Sequence, residues 1–107
     1  MNFTTDYLIK NYDYIMQIPV KFDSYKARCK SKKVKFALSF AEFDYLVKEP
    51  CWYCEFKSET KINGIDRLDP KLGYDKMNVA PCCWTCNRAK SDMSLKEFEE
   101  YINRFKK

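Results

Sequence analysis

Cysteine is the residue type whose spacing in this chain speaks most directly to chemistry. The six cysteines are Cys29, Cys51, Cys54, Cys82, Cys83 and Cys86. Cys51/Cys54 and Cys83/Cys86 form two C-x-x-C pairs with 28 residues between them. Each pair sets two thiolates on one tight turn. Two such turns supply the four sulfurs of a tetrahedral Zn²⁺ site, with Zn–S near about 2.3 Å. Buried free thiols or disulfides are the alternatives. The opening Met-Asn-Phe-Thr-Thr-Asp has neither the basic start nor the apolar core of a secretory signal. In a reducing compartment clustered cysteines bind metal more often than they pair. Cys82 rivals Cys83, because Cys82/Cys86 would be C-x-x-x-C, but Cys83 repeats the spacing of the first pair. Cys29 has no such partner and reads as a core thiol. The chain contains no histidine, which removes any histidine base, nucleophile or metal ligand.

Cations are the second feature. Lys and Arg total 20 against 15 Asp and Glu, a net charge of +5. Four thiolates and one Zn²⁺ add −4 + 2 = −2, which brings the loaded chain to +3. With so modest a balance, an anionic partner has to be met by local clustering. Lys26, Arg28, Lys30, Lys32, Lys33 and Lys35 form such a cluster, with no acid among them. The run is either a solvated face or a surface that tracks phosphates.

The elements that must position these residues follow from pattern. A chain of 107 residues makes one domain, and one this small gains from an added staple. No apolar run approaches the ~20 residues of a membrane span. Residues 4–17 have helical spacing of Tyr7, Leu8, Tyr12, Ile15 and Met16, with Thr5 as cap and Pro19 as the stop. Residues 22–33 form a second helix. Val34 to Leu38 alternates as a short strand. Ser39 and Glu42 then make a capping box for a helix that runs to about Lys48, before Pro50. Both glycines, Gly64 and Gly73, fall between the cysteine pairs, where Ile62–Leu68 and Asn78–Pro81 read as strands joined by a loop over 69–77. A short helix follows Cys86 through Lys90. Ser94 and Glu97 cap a last helix with Leu95, Phe98, Tyr101, Ile102 and Phe105 on its apolar stripe, and Arg104, Lys106 and Lys107 suit its C-terminal dipole.

Taken in order, the motifs are Cys51-Trp-Tyr-Cys54, Gly64-Ile-Asp66-Arg67-Leu-Asp69-Pro70, Gly73-Tyr74, Asn78-Val79 and Cys82-Cys83-Trp-Thr-Cys86-Asn87-Arg88-Ala-Lys90. This string resembles the HNH endonuclease family, whose core is a ββα-metal fold. The likeness covers roughly residues 51–98 and extends more loosely back to Tyr25, through a basic helix, a short strand and a Phe-rich helix seen in phage and viral members. The resemblance implies a catalytic Mg²⁺ or Mn²⁺ held by Asp66 and Asn87, and it gives Asn78 the task of tying the loop between the strands and orienting the base. One carboxylate and one amide oxygen suit a hard cation that keeps several waters. The bland readings are a turn carboxylate for Asp66 and a helix N-cap for Asn87. The family's usual base is a His directly after the metal-binding Asp. Here Arg67 stands there, as in some viral and phage members, and arginine cannot accept a proton. Asp69 would serve as base or metal ligand, or the reaction would run without a protein base. Arg67 would grip phosphate. For Asp69 the bland reading is a turn opener before Pro70.

These readings combine into an α+β protein: a small zinc-stabilised ββα-metal core at 51–107, with a helical and basic region at 1–50 packed on it. The expected function is a metal-dependent DNA endonuclease with Asp66, Arg67, Asp69, Asn78 and Asn87 in its site. Arg28, Lys30, Lys32, Lys33, Lys35, Arg88 and Lys90 would contact nucleic acid with weak sequence preference. The rival is a zinc-stabilised nucleic-acid-binding or virion-associated protein that kept the fold and lost the base. Duplex, junction, single strand and RNA stay open as substrates. One site cuts one strand, so a double-strand break calls for a dimer. The expected setting is intracellular, in the cytoplasm or nucleus of a host or in a virion.

Overall fold

The computed structural model describes residues 5–91 and 93–105, with side chains from residue 11 onward. Its elements are α1 (Thr5–Lys32), α2 (Phe40–Val47), β1 (Gly64–Arg67), β2 (Val79–Cys82), α3 (Trp84–Lys90) and α4 (Leu95–Asn103). This is the expected mixture of helices around a small sheet. β1 and β2 pair antiparallel, with Gly64 opposite Cys82 and Arg67 opposite Val79.

The two helices expected on either side of Pro19 are one helix of 28 residues. Proline removes one N–H from the ladder and usually kinks or breaks a helix. Here Ile18, Phe22, Tyr25 and Cys29 recur at the spacing of a single helical face. Ile18, Tyr25 and Cys29 are buried, and Phe22 packs partly buried against the same core. Burying one uninterrupted face outweighs the single lost bond. Lys33 ends α1 in the left-handed conformation, φ 58°, while the Val34 N–H reaches back to the Cys29 carbonyl at 2.8 Å. That is a Schellman-type stop with lysine in the place glycine usually takes. The expected contributions of Thr5, Tyr7, Leu8, Lys106 and Lys107 lie outside the described side chains.

The strand expected over Val34–Leu38 shrinks to one parallel bridge between Phe36 and Tyr74. The Ala37 N–H donates to the Tyr74 carbonyl at 2.7 Å and the Tyr74 N–H to the Lys35 carbonyl at 2.9 Å. The loop then turns at Asp75, whose carboxylate takes the Met77 N–H and whose carbonyl takes the Asn78 N–H, so pairing cannot continue. Both capping boxes form, Ser39 with Glu42 and Ser94 with Glu97. α3 begins earlier than expected, with Cys83 as its N-cap.

Among the described residues, the N-terminal region and the segment after Pro50 share a hydrophobic cluster. Ile18 and Tyr25 of α1 and Phe43 and Val47 of α2 pack with Leu38, Ile62, Ile65 and Val79. A second cluster joins Cys51, Tyr53, Cys82, Cys83 and Cys86 to Phe98 of α4, whose ring meets Tyr53 edge-on at 4.7 Å. Phe105, expected on the α4 stripe, lies beyond the helix and is exposed. Both glycines permit close approach. A Cβ on Gly64 would lie 2.6 Å from the Tyr25 hydroxyl, and one on Gly73 would lie 2.6 Å from the Lys35 carbonyl oxygen. Among the described residues no helix is long and apolar enough to cross a membrane.

Phe43 is fully buried, with its ring 5.3 Å from Phe22 and 5.6 Å from Tyr25. Phe43→Ala should cost about 3–5 kcal/mol in urea unfolding of the metal-loaded protein. A loss below about 1 kcal/mol would contradict its place at the junction of α1, α2 and the sheet.

Candidate functional site

The sulfur cluster comes first, because it fixes the helix that carries the next residues. The sulfurs of Cys51, Cys54, Cys83 and Cys86 all lie within 4.8 Å of one another, and Cys54 and Cys83 are 3.6 Å apart. Four sulfurs at tetrahedral Zn–S distances would stand about 3.8 Å apart, so the arrangement fits a metal ion such as zinc. Backbone bonds shape both turns. The Glu55 N–H reaches the Cys51 carbonyl and the Cys51 N–H the Phe56 carbonyl, while the Trp52 N–H ties the first turn to Pro81 of β2. Asn63, which sequence reasoning passed over, is buried and donates from Nδ2 to the Glu49 and Phe56 carbonyls, locking the loop that carries this turn. In the second turn Cys83 Sγ accepts the Cys86 N–H at 3.4 Å.

Cys83, not Cys82, completes the cluster. Cys82 is fully buried, and its thiol donates to the Cys83 carbonyl at 3.5 Å. The neighbouring Cys82 thiol, then backbone N–H groups, hold Cys51 down to about 4, and the Cys51 thiolate together with burial pushes Cys82 well above the ordinary thiol range. Cys82 packs beside the cluster and is not one of its four sulfurs.

Cys86 is followed by Asn87, one turn into α3. Since Cys83 caps the helix, Asn87 has no capping duty, and its side chain turns toward β1: Nδ2 lies 3.4 Å from the Ile65 carbonyl. Asp66, the next residue on β1, is buried. Its Oδ2 accepts the Tyr53 hydroxyl at 2.7 Å and pairs with Lys90 Nζ at 3.1 Å. Lys90 also donates to the Arg67 carbonyl at 2.9 Å. Burial, then the bond to Asp66, hold the Tyr53 phenol far above its usual range, so it stays a donor. Oδ1 of Asp66 and Oδ1 of Asn87 have no hydrogen-bond partner among the described residues. Both are oxygens of the donor type that suits Mg²⁺ or Mn²⁺, one on the strand and one on the helix that bonds it.

Lys90 corrects the sequence reading. Placed there on the nucleic-acid face, it is fully buried as the counter-ion of Asp66. Tyr53 was missed as well. The middle of a C-x-x-C turn gives no sign of facing a strand 13 residues later, and only the fold brings the two together.

Asn78 fills the loop-tying role. It is buried, accepts the Asp69 N–H on Oδ1 at 3.0 Å, and donates from Nδ2 to the Asp69 and Gly73 carbonyls at 3.1 and 2.9 Å. Asp69 has the geometry of a turn opener: its Oδ1 takes the Lys71 N–H at 2.9 Å and its carbonyl takes the Leu72 N–H. Arg67 donates from Nη1 to the Leu72 carbonyl at 3.0 Å, and its guanidinium lies 5.2 Å from the centre of the Tyr74 ring. Arg28, Lys30, Lys32, Lys33, Lys35 and Arg88 are exposed. Arg88 stacks on exposed Trp84, with its guanidinium 4.8 Å from the ring centre, on the side of α3 away from Lys90.

Two outcomes check this geometry. Cys83→Ser should lose the bound metal in elemental analysis of the purified protein while Cys82→Ala keeps it; metal loss in Cys82→Ala alone would exchange their roles. Lys90→Ala strands the Asp66 carboxylate in the interior and should cost about 3–5 kcal/mol in denaturant unfolding. A cost near that of a surface lysine would mean that the pair is not buried in solution.

No family model matches the chain. An uncharacterized protein of Acanthamoeba polyphaga mimivirus is 36% identical over 78 residues, 73% of this chain but 15% of that protein. The chain thus spans a small part of the length of that viral relative. Among solved structures, the rare-cutting HNH restriction endonuclease PacI, whose structure is described as exhibiting an extraordinary mechanism of DNA perturbation, matches with a TM-score of 0.68 and 18% identity. The match covers 82% of this chain and 75% of that one. The chain therefore has the fold of an HNH nuclease.

Proposed function

We propose that the chain is a metal-dependent endonuclease that hydrolyses phosphodiester bonds in DNA, with a structural Zn²⁺ on Cys51, Cys54, Cys83 and Cys86 and a catalytic Mg²⁺ or Mn²⁺ on Asp66 and Asn87. The observation that carries this reading is the pair of unspent oxygens, one on β1 and one on α3, at a strand–helix crossing anchored by the sulfur cluster. The likeness in fold to an HNH restriction endonuclease supports DNA as the substrate. When bound, the divalent ion supplies positive charge for the scissile phosphate and the departing 3′ oxygen. The oxygen of a water joins phosphorus, the bond from phosphorus to the 3′ oxygen breaks, and the proton of the water ends on that oxygen. Tyr53 and Lys90 hold Asp66 by Oδ2, which leaves Oδ1 as the oxygen that would hold the ion. Arg67, permanently charged, binds phosphate and takes no proton. Asp69 is the carboxylate available as base, with Oδ1 already engaged in its turn. The viral relative supports an intracellular setting in a host.

One observation favours the second reading, a nucleic-acid-binding module without catalysis. Asp66 already has a cation in Lys90, so its charge is balanced without a divalent ion.

Supercoiled-plasmid nicking with Mg²⁺ and then Mn²⁺ separates the two. The enzyme should nick, and Asn87→Ala and Asp66→Asn should lose at least about a hundredfold in rate, roughly 2.7 kcal/mol of transition-state stabilisation, while keeping the wild-type circular dichroism spectrum. Asp69→Asn retains a side-chain acceptor for the Lys71 N–H but cannot act as base. Full activity in that variant would remove Asp69 from the chemistry. DNA bound but never nicked by the wild type would establish the binding module.

A further inference from the structure

The basic run of α1 is not one uniform face. Arg28 and Lys32, four residues apart on one side of the helix, line a small cleft of about 70 Å³ together with Arg67 from the end of β1. Tyr25, Tyr74 and Cys29 supply much of the remaining lining, and none of the described lining residues is acidic. Two of the cations are held in place by rings: the Arg28 guanidinium lies 4.8 Å from the centre of Tyr25 and that of Arg67 lies 5.2 Å from the centre of Tyr74. Burial raises both phenols and the Cys29 thiol, so these groups stay neutral and offset none of the positive charge. Lys30, Lys33 and Lys35 are not in the cleft.

Three cations converge there, two of them set against rings, from two segments more than thirty residues apart, and no carboxylate lines the cleft. A guanidinium set against an aromatic face keeps N–H groups available for phosphate oxygens, and Arg67 has Nη2 and Nε beyond the Nη1 it gives to the Leu72 carbonyl. We propose that this cleft is a subsite for one backbone phosphate of a nucleic-acid strand. The inference rests on the reading of the chain as a nucleic-acid-binding protein, but it does not require catalysis.

The test uses the full chain loaded with zinc, without added magnesium or manganese. Arg28→Gln/Lys32→Gln keeps the side-chain stems and removes two charges, and Lys21→Ala/Lys57→Ala is the charge-matched control on exposed lysines elsewhere. Duplex DNA binding is measured across a salt series, and inorganic phosphate is titrated while the guanidinium signals of Arg28 and Arg67 are followed by nuclear magnetic resonance. The expected result is a slope of log affinity against log salt shallower by about 1 in the cleft variant than in the control. Saturable phosphate shifts at Arg67 should accompany it, absent with chloride at equal ionic strength and lost in the variant. If wild type and cleft variant bind DNA with the same slope and phosphate gives no saturable shift, the subsite is overturned while the nucleic-acid reading stands. Phosphate shifts with an unchanged DNA slope would mean a site for a free anion and overturn the strand assignment. Wild type that binds no DNA at any salt would overturn both.

Discussion

Four sulfurs gathered within 4.8 Å are the constraint on which the rest of the architecture hangs. A two-stranded sheet is marginal by itself, and the segment carrying the first cysteine pair has almost no regular structure of its own. Without a cation, the thiolates that a metal requires would repel one another in a partly buried setting. With one, the cluster joins the turn at 51–54 to the start of α3. The consequence for chemistry is immediate. Cys83 caps α3 and Cys86 is bonded to Asn87, so the staple that stabilises the fold also sets the angle and register at which the helix presents its amide to β1.

A second constraint lies one turn further along α3. A lysine with no measurable exposure, paired with a carboxylate that is also buried, is not a stabilising choice by default, because desolvation consumes much of the attraction. What the pair contributes here is orientation. Lys90 and Tyr53 both bind Oδ2 of Asp66, and Lys90 also bonds the Arg67 carbonyl, so strand, helix and cysteine turn are locked to one another through a single carboxylate oxygen. The same arrangement serves either reading of function: it leaves Oδ1 open to a divalent ion, and it balances the charge if no such ion is used.

The long first helix contributes more than cover. Tyr25 bonds both the N–H and the carbonyl of Ile65, inserting its hydroxyl against β1 where Gly64 leaves room. Gly73 lets the loop between the strands lie against Lys35, and Asn78 braces that loop from within. Both glycines of the chain are thus spent on docking the N-terminal half to the nuclease-like core, which is how Arg28 and Lys32 come to stand beside Arg67.

Local signals in the sequence determined much of this. The equal spacing of the C-x-x-C pairs singled out Cys83 over Cys82, both capping boxes formed as their Ser-x-x-Glu patterns require, and the two strands between the cysteine pairs fell close to the expected segments, because each of these depends on residues within one turn or one strand; the strand expected over Val34–Leu38 did not form. Pro19 misled for the opposite reason: the loss of one backbone bond is local, but the burial that outweighed it is gathered from α2 and the sheet. Tyr53 against Asp66, Lys90 withdrawn from the surface, Asn63 under the cysteine turn and the cation cleft were decided only by the tertiary structure. Their partners lie 7 to 23 positions away or on another element, and a side chain's charge does not disclose whether it will meet water or a buried counter-ion until the chain has folded around it.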